Sequence, residues 1–182
     1  MGAGRGELSM RGPLLRWVAA LALLLPGLAQ AQWSIRLALE VPLHSHLFLT
    51  DGPTVSTSIA DTFQPGVDLL GGYAVVDSLS LDLEVRTGLF GTGGYGRTPT
   101  NIGPGLTYDV STFPLYGRMA LPIQVEHGTV FFVRLGGGLK ITDWGFFRLY
   151  FELTVDVALG ATNDVKPGTH SVNVALGMWF KL

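Results

Sequence analysis

Residues Phe147–Leu159 read Phe-Arg-Leu-Tyr-Phe-Glu-Leu-Thr-Val-Asp-Val-Ala-Leu, and the period of this stretch decides the fold. Phe147, Leu149, Phe151, Leu153, Val155, Val157 and Leu159 take one set of alternate positions, and Arg148, Tyr150, Glu152, Thr154, Asp156 and Ala158 take the other. Successive side chains of a strand point to opposite faces, so a strand here has one wholly apolar face and one that carries charge. A helix would spread both sets around its axis, so the period of two selects strand. Strands of soluble sheets run about 5–6 residues, whereas a tilted strand crossing a bilayer needs roughly 9–11. This one is long enough to cross.

The alternation recurs over Trp33–Val41, Phe63–Val75, Leu79–Leu89, Ile102–Val110, Leu115–Leu121, Thr129–Lys140 and Val172–Leu182. With Phe147–Leu159 these make eight predicted strands. In the Ile102–Val110 strand, Gly103-Pro104-Gly105 interrupts the pattern. Pro42–Thr62, with its Asp51-Gly52-Pro53 turn signal, reads as a loop, as do Gly91–Asn101, Pro122–Gly128 and Gly160–Gly168. Val76–Ser78, Val110–Thr112 and Ile141–Trp144 read as short turns. An even strand count, with short turns at one end and longer loops at the other, is the plan of a single-chain bacterial barrel. The expected fold is all-β: an eight-stranded antiparallel transmembrane up-and-down β-barrel.

Residues 1–31 have the three parts of an export signal. Arg5, Arg11 and Arg16 form a basic leader, Trp17–Leu25 an apolar run, and Ala29-Gln30-Ala31 a small-x-small cleavage pattern. The apolar run is too short for a membrane-spanning helix. The expectation is a cleaved signal peptide over 1–31 and a barrel domain over 32–182. Cleavage would remove three basic residues and Glu7, taking the formal charge from −2 to −4. No basic patch points to nucleic acid. The chain has no cysteine, so disulfides, thiol catalysis and thiolate metal sites are excluded. No later segment offers 18 uninterrupted apolar residues, so a membrane-embedded chain of this sequence must close into a barrel, where every backbone group is paired.

A soluble lipocalin-type barrel also has eight strands, but with its apolar set inside. Under the membrane reading the inward set holds Arg36, Arg86, Arg118, Arg134, Lys140, Arg148 and Lys181. It also holds Glu40, Asp68, Asp82, Glu84, Asp109, Glu152 and Asp156, interleaved with Gly, Ala and Ser. An eight-stranded interior is only wide enough for side chains to fill it. Opposite charges would pair across it and plug it. Glu152 and Asp156 could in principle do acid–base work, but with seven cations available a salt-bridged plug is the expected role. Trp33, Trp144, Tyr95 and Tyr108 fall near strand ends, as interfacial aromatics do, whereas Trp179 falls on the inward parity.

The chain end Ala175-x-Gly177-x-x-Phe180-x-Leu182 resembles the assembly signal of bacterial outer-membrane barrels, departing from it at Ala175 and in ending on Leu rather than Phe. Leu106–Val110 through Pro114-Leu115-Tyr116-Gly117, and Gly136–Asp143 into Arg148–Glu152, are similar to hairpins of the small OmpA/OmpW-type barrel domain. The resemblance implies a bacterial outer-membrane location in a Gram-negative organism. It also implies contact with outer-membrane lipids and lipopolysaccharide, and insertion by the outer-membrane assembly machinery through Gly177, Phe180 and Leu182. The expected role is non-catalytic, structural or surface-interacting, without a cofactor. Passage of a small apolar solute, or a secreted lipocalin-like binding role, is the alternative.

His44-Ser45-His46 is the one cluster with obvious chemistry. On a strand, the two histidines would share a face and could bind a metal, but no third ligand is near in sequence. A lipid A deacylase would need a Ser within reach of the His, and adjacent residues on a strand point apart. The glycine run Gly91–Gly96 lacks the Lys and Ser/Thr of a phosphate loop.

Overall fold

The computed structural model describes residues 32–47, 55–58, 65–89, 100–110, 112–125, 129–161 and 167–182. Along β1 (Trp33–Leu47), exposed and buried residues alternate without a break from Trp33 to Glu40, and they alternate again over 151–158 in β9 (Phe147–Ala161). The orientation is the reverse of a soluble barrel. Glu84 and Arg134 are 0 % exposed, while their immediate neighbours Leu83 and Leu135 are each 56 % exposed. Burying charge and exposing leucine at neighbouring positions is stable only where the outer surroundings are apolar and the inner ones polar.

The other strands are β2 (Val55–Ser58), β3 (Gly66–Val76), β4 (Leu79–Gly88), β5 (Thr100–Asp109), β6 (Leu115–Ala120), β7 (Ile123–Gln124), β8 (Val130–Lys140) and β10 (His170–Lys181). All pairings are antiparallel; the order along the wall is β10-β9-β8-β6-β5-β4-β3-β1, and β10 pairs β1 from Ser34↔Lys181 to His46↔His170, which closes the ring. Two of the ten strands are short pieces of the wall: β2 pairs β1 beyond the end of the β1–β3 ladder, and β7 resumes the β6 line between β5 and β8. Eight staves result.

Several boundaries differ from the sequence reading. Pro42–Thr62 is not all loop. A bulge between Pro42 and His44 lets β1 run on to Leu47, where β2 and β10 continue to supply backbone partners. Asn101, Ile123–Gln124 and Gly160–Ala161 are likewise in strands rather than loops. In each case the ladder continues past the apolar crossing, because a free strand end leaves donors and acceptors unpaired. The expected signal peptide over 1–31, most of the glycine loop with Tyr95, and Phe63–Gln64 lie outside the described residues.

Between β6 and β7, Pro122 lacks an N–H, but its carbonyl accepts from Phe132 N at 2.9 Å. Leu121 N donates to Pro104 O at 2.9 Å, so the Gly103-Pro104-Gly105 interruption is bridged rather than broken. Inside, glycine makes room for rings. A Cβ on Gly138 would stand 2.2 Å from the Tyr116 ring, and one on Gly177 would stand 2.6 Å from Leu37 O and 2.7 Å from the Tyr150 ring. At the end where β1 begins and β10 finishes, aromatic pairs ring the outside: Trp33–Tyr73 at 4.9 Å, Trp144–Phe147 at 4.7 Å and Phe147–Phe180 at 5.9 Å between centroids. Exposed Tyr108 belongs to the same collar, as interfacial aromatics of a barrel do.

Candidate functional site in the barrel lumen

Inward positions of adjacent strands converge because the ring is narrow, so residues 34 to 70 apart in sequence meet across it. Arg134 on β8 makes a two-pronged contact with Asp156 on β9, Nε to Oδ1 at 2.6 Å and Nη2 to Oδ2 at 2.8 Å. Such a planar fork is the strongest form of charge-assisted hydrogen bond. Arg134 Nη1 also meets Glu84 on β4, and lies 3.8 Å from Glu40 and 3.9 Å from Asp68. Glu84 is shared: its second oxygen takes Arg118 Nη2 from β6. Arg118 Nη1 then reaches Glu152 at 3.0 Å and Asp68 at 3.4 Å. Arg86 closes the upper side, 2.7 Å from Glu40 and 3.1 Å from Asp156.

Neutral groups complete the set. Asn173 donates to Asp156 at 3.2 Å and to Thr154 at 3.3 Å. Tyr116 OH donates to Glu152 Oε2 at 2.6 Å, and Thr107 donates to Asp82. Arg36 is held differently: its guanidinium lies 3.9 Å from the Trp179 ring centroid and 3.6 Å from Asp82. Stacking on an aromatic face suits a planar, weakly hydrated cation. Tyr116, Tyr150 and Trp179 pack around it as a buried aromatic layer. Below that layer, Asp109 takes Lys140 and, at 3.3 Å, Arg148, whose other nitrogen is 2.7 Å from Asp143 in the β8–β9 turn. Arg148 holds the Asp143 carboxyl below the usual carboxylate range, chiefly through that hydrogen bond.

The structure thus brings together Arg36, Glu40, Asp68, Asp82, Glu84, Arg86, Arg118, Arg134, Glu152 and Asp156 in one central group, with Lys140 and Arg148 in a second group nearer the β8–β9 turn. Lys181 is not drawn in: it is exposed at the end of β10 and makes no ion pair among the described residues. Periodicity missed the roles of Asn173, Thr107 and Thr154, because a small polar residue at an inward position looks like filler until its partner is known. The stacking of Arg36 on Trp179 was signalled only by their shared inward parity.

Of the chain-end residues, Gly177 faces inward against Tyr150, Phe180 joins the outer aromatic collar, and Leu182 N donates to Trp33 O at 2.8 Å. His44 and Ser45 point to opposite faces: the register sets His44 opposite outward Val172 and Ser45 opposite inward Ser171. Among the central described residues, six carboxylates face four guanidiniums, and Glu84 binds two of those four. This arrangement can neutralise and fill a pore; its carboxylates are committed to cations rather than aimed at an open cleft.

No protein-family model matches the chain, and no curated protein matches it in sequence. Among solved structures it is similar to Neisserial surface protein A (NspA), with 12% identity, 84% of this chain and 99% of that chain covered, and a TM-score of 0.54. It also aligns with a de novo designed transmembrane β-barrel at 16% identity, covering 82% of this chain and 95% of that one, with a TM-score of 0.41. A third likeness is OmpT of Vibrio cholerae, at 16% identity over 80% of this chain and 52% of that one, with a TM-score of 0.28. The chain therefore folds as a closed eight-stranded antiparallel β-barrel, the fold it has in common with NspA.

Proposed function

We propose that this protein is a non-catalytic outer-membrane barrel of a Gram-negative bacterium, closed to bulk flow and acting through the surface it presents beyond the bilayer. The observation that carries the reading is Glu84 bridging Arg118 and Arg134 across the lumen, with all three side chains withdrawn from solvent. A water-filled pore would leave such groups hydrated. The outward leucines and the aromatic collar support insertion in a bilayer, and they argue against a secreted calyx, which would keep its apolar set inside. The likeness in pattern to small OmpA/OmpW-type domains supports the same location.

On this reading the partners are outer-membrane lipids, including lipopolysaccharide, and the assembly machinery, which would engage the strand ending in Gly177, Phe180 and Leu182. Passage of a small apolar solute has less support, since the described lumen is filled by ion-paired, hydroxyl and aromatic groups, with Leu70 and a few alanines between them. Planar-bilayer recording of the purified protein tests the closed lumen: only brief, small currents are expected, and a steady large conductance overturns it. Recovery of the protein in the soluble fraction without detergent overturns the membrane assignment.

A further inference from the structure

The bulge at Pro42/His44 shifts the parity of β1, so beyond it the even-numbered residues turn outward. His44 and His46 therefore leave the lumen and stand on the outer wall just past the apolar run that ends at Val41. The closing register places His170 of β10 directly opposite His46, on the same outward parity as Val172, Val174 and Leu176. The His44 and His46 rings lie 4.4 Å apart and the His46 and His170 rings 5.0 Å apart, centroid to centroid. Three imidazoles from two adjacent strands thus share one patch. The positions paired with them on β2 and β10 are Ser58, Ser56, Val172 and His170 itself, none of which is a carboxylate or a further cation.

We propose that His44, His46 and His170 form a rim site that binds a borderline divalent cation, zinc being the test case, across the β1–β10 seam.

One further observation points to a cation rather than an anion. His170 Nδ1 is 2.9 Å from the carbonyl of Gly168, to which it donates, so Nε2 is the ring's electron-pair donor. Metal-binding histidines are oriented in this way by a backbone carbonyl on the other nitrogen. As packed, the rings lie edge to face or tilted, and among the described residues no three such groups already surround one point. Ring rotation must accompany binding. The bound ion would staple the strand that opens the barrel to the strand that closes it.

The test is zinc chloride titrated into the full chain purified in detergent at pH 7.5, read by calorimetry and by the imidazole NMR signals. One zinc per chain is expected, with a rise in unfolding temperature, because the ion binds only the folded seam. His46→Ala and His170→Ala should each weaken binding at least about tenfold, taking ligand loss to cost no less than loss of an orienting partner. The triple variant with His44→Ala should abolish both binding and the thermal shift. All variants should keep their folded, heat-modifiable gel band, since no lumen residue changes. Absence of zinc binding in the parent, or binding unchanged in a folded triple variant, overturns the site.

Discussion

Replacing Arg134 with methionine tests the central pairing most directly. Methionine fills comparable space but removes the cation that Asp156 grips at 2.6 and 2.8 Å, that Glu84 contacts, and that Glu40 and Asp68 approach to 3.8 and 3.9 Å. Breaking a buried ion pair by deleting one partner costs about 3–5 kcal/mol, since the other charge stays buried and uncompensated. Four carboxylates share Arg134, so the upper end applies: about 5 kcal/mol, or roughly three to four powers of ten in the unfolding equilibrium. The control is Glu40→Gln, which relieves a group already richer in carboxylates than guanidiniums and leaves Arg86 paired to Asp156 at 3.1 Å. With Arg86 still paired, losing that one ion-pair contact costs about 1 kcal/mol. Both are measured by urea unfolding in lipid vesicles, followed by tryptophan fluorescence and by the heat-modifiable gel shift. Adding Asp156→Leu to Arg134→Met should recover at least about 1 kcal/mol through the coupling between the two sites. An Arg134→Met loss below about 1 kcal/mol, or one no larger than that of Glu40→Gln, would refute the claim that this guanidinium neutralises the lumen.

Leu153→Arg places a cation at the middle of the outward face of β9 and should cost about 2–4 kcal/mol in vesicles; an unchanged midpoint would show that this face does not meet hydrocarbon. Gly177→Ala drives a Cβ into Leu37 O and the Tyr150 ring and should cost about 1–3 kcal/mol, whereas Gly71→Ala, whose Cβ meets nothing within 4 Å, should be nearly neutral by the same unfolding assay. Asp143 has a folded-state pKa below its ordinary 3.8, so its contribution is present above that value and fades as pH falls through the lower, folded one. The stability gap between the parent and Asp143→Asn should accordingly be visible at pH 5 and shrink below pH 3.8; a gap that widens on acidification contradicts the Arg148 pairing.

Alternation along Phe147–Leu159, Leu79–Leu89 and Trp33–Val41 is enough to specify strands, their inward and outward faces, and the crossing length, because side-chain period and rise per residue are local properties of an extended backbone. That Arg118, Arg134 and Glu152 face inward follows from the same parity. What parity leaves open is which inward residues meet. Arg118 with Glu152, Arg134 with Glu84, and Arg36 against Trp179 depend on the stagger between strands, which the closing β1–β10 ladder sets for the whole ring. The bulge after Pro42 is another tertiary decision. It breaks the alternation that marks a strand, so the sequence reads as loop where β1 continues, and it turns His44 and His46 outward to meet His170 from the far end of the chain. Local chemistry settled what each strand is and which way it faces; ring closure, a constraint between residues more than a hundred positions apart, settled the contacts.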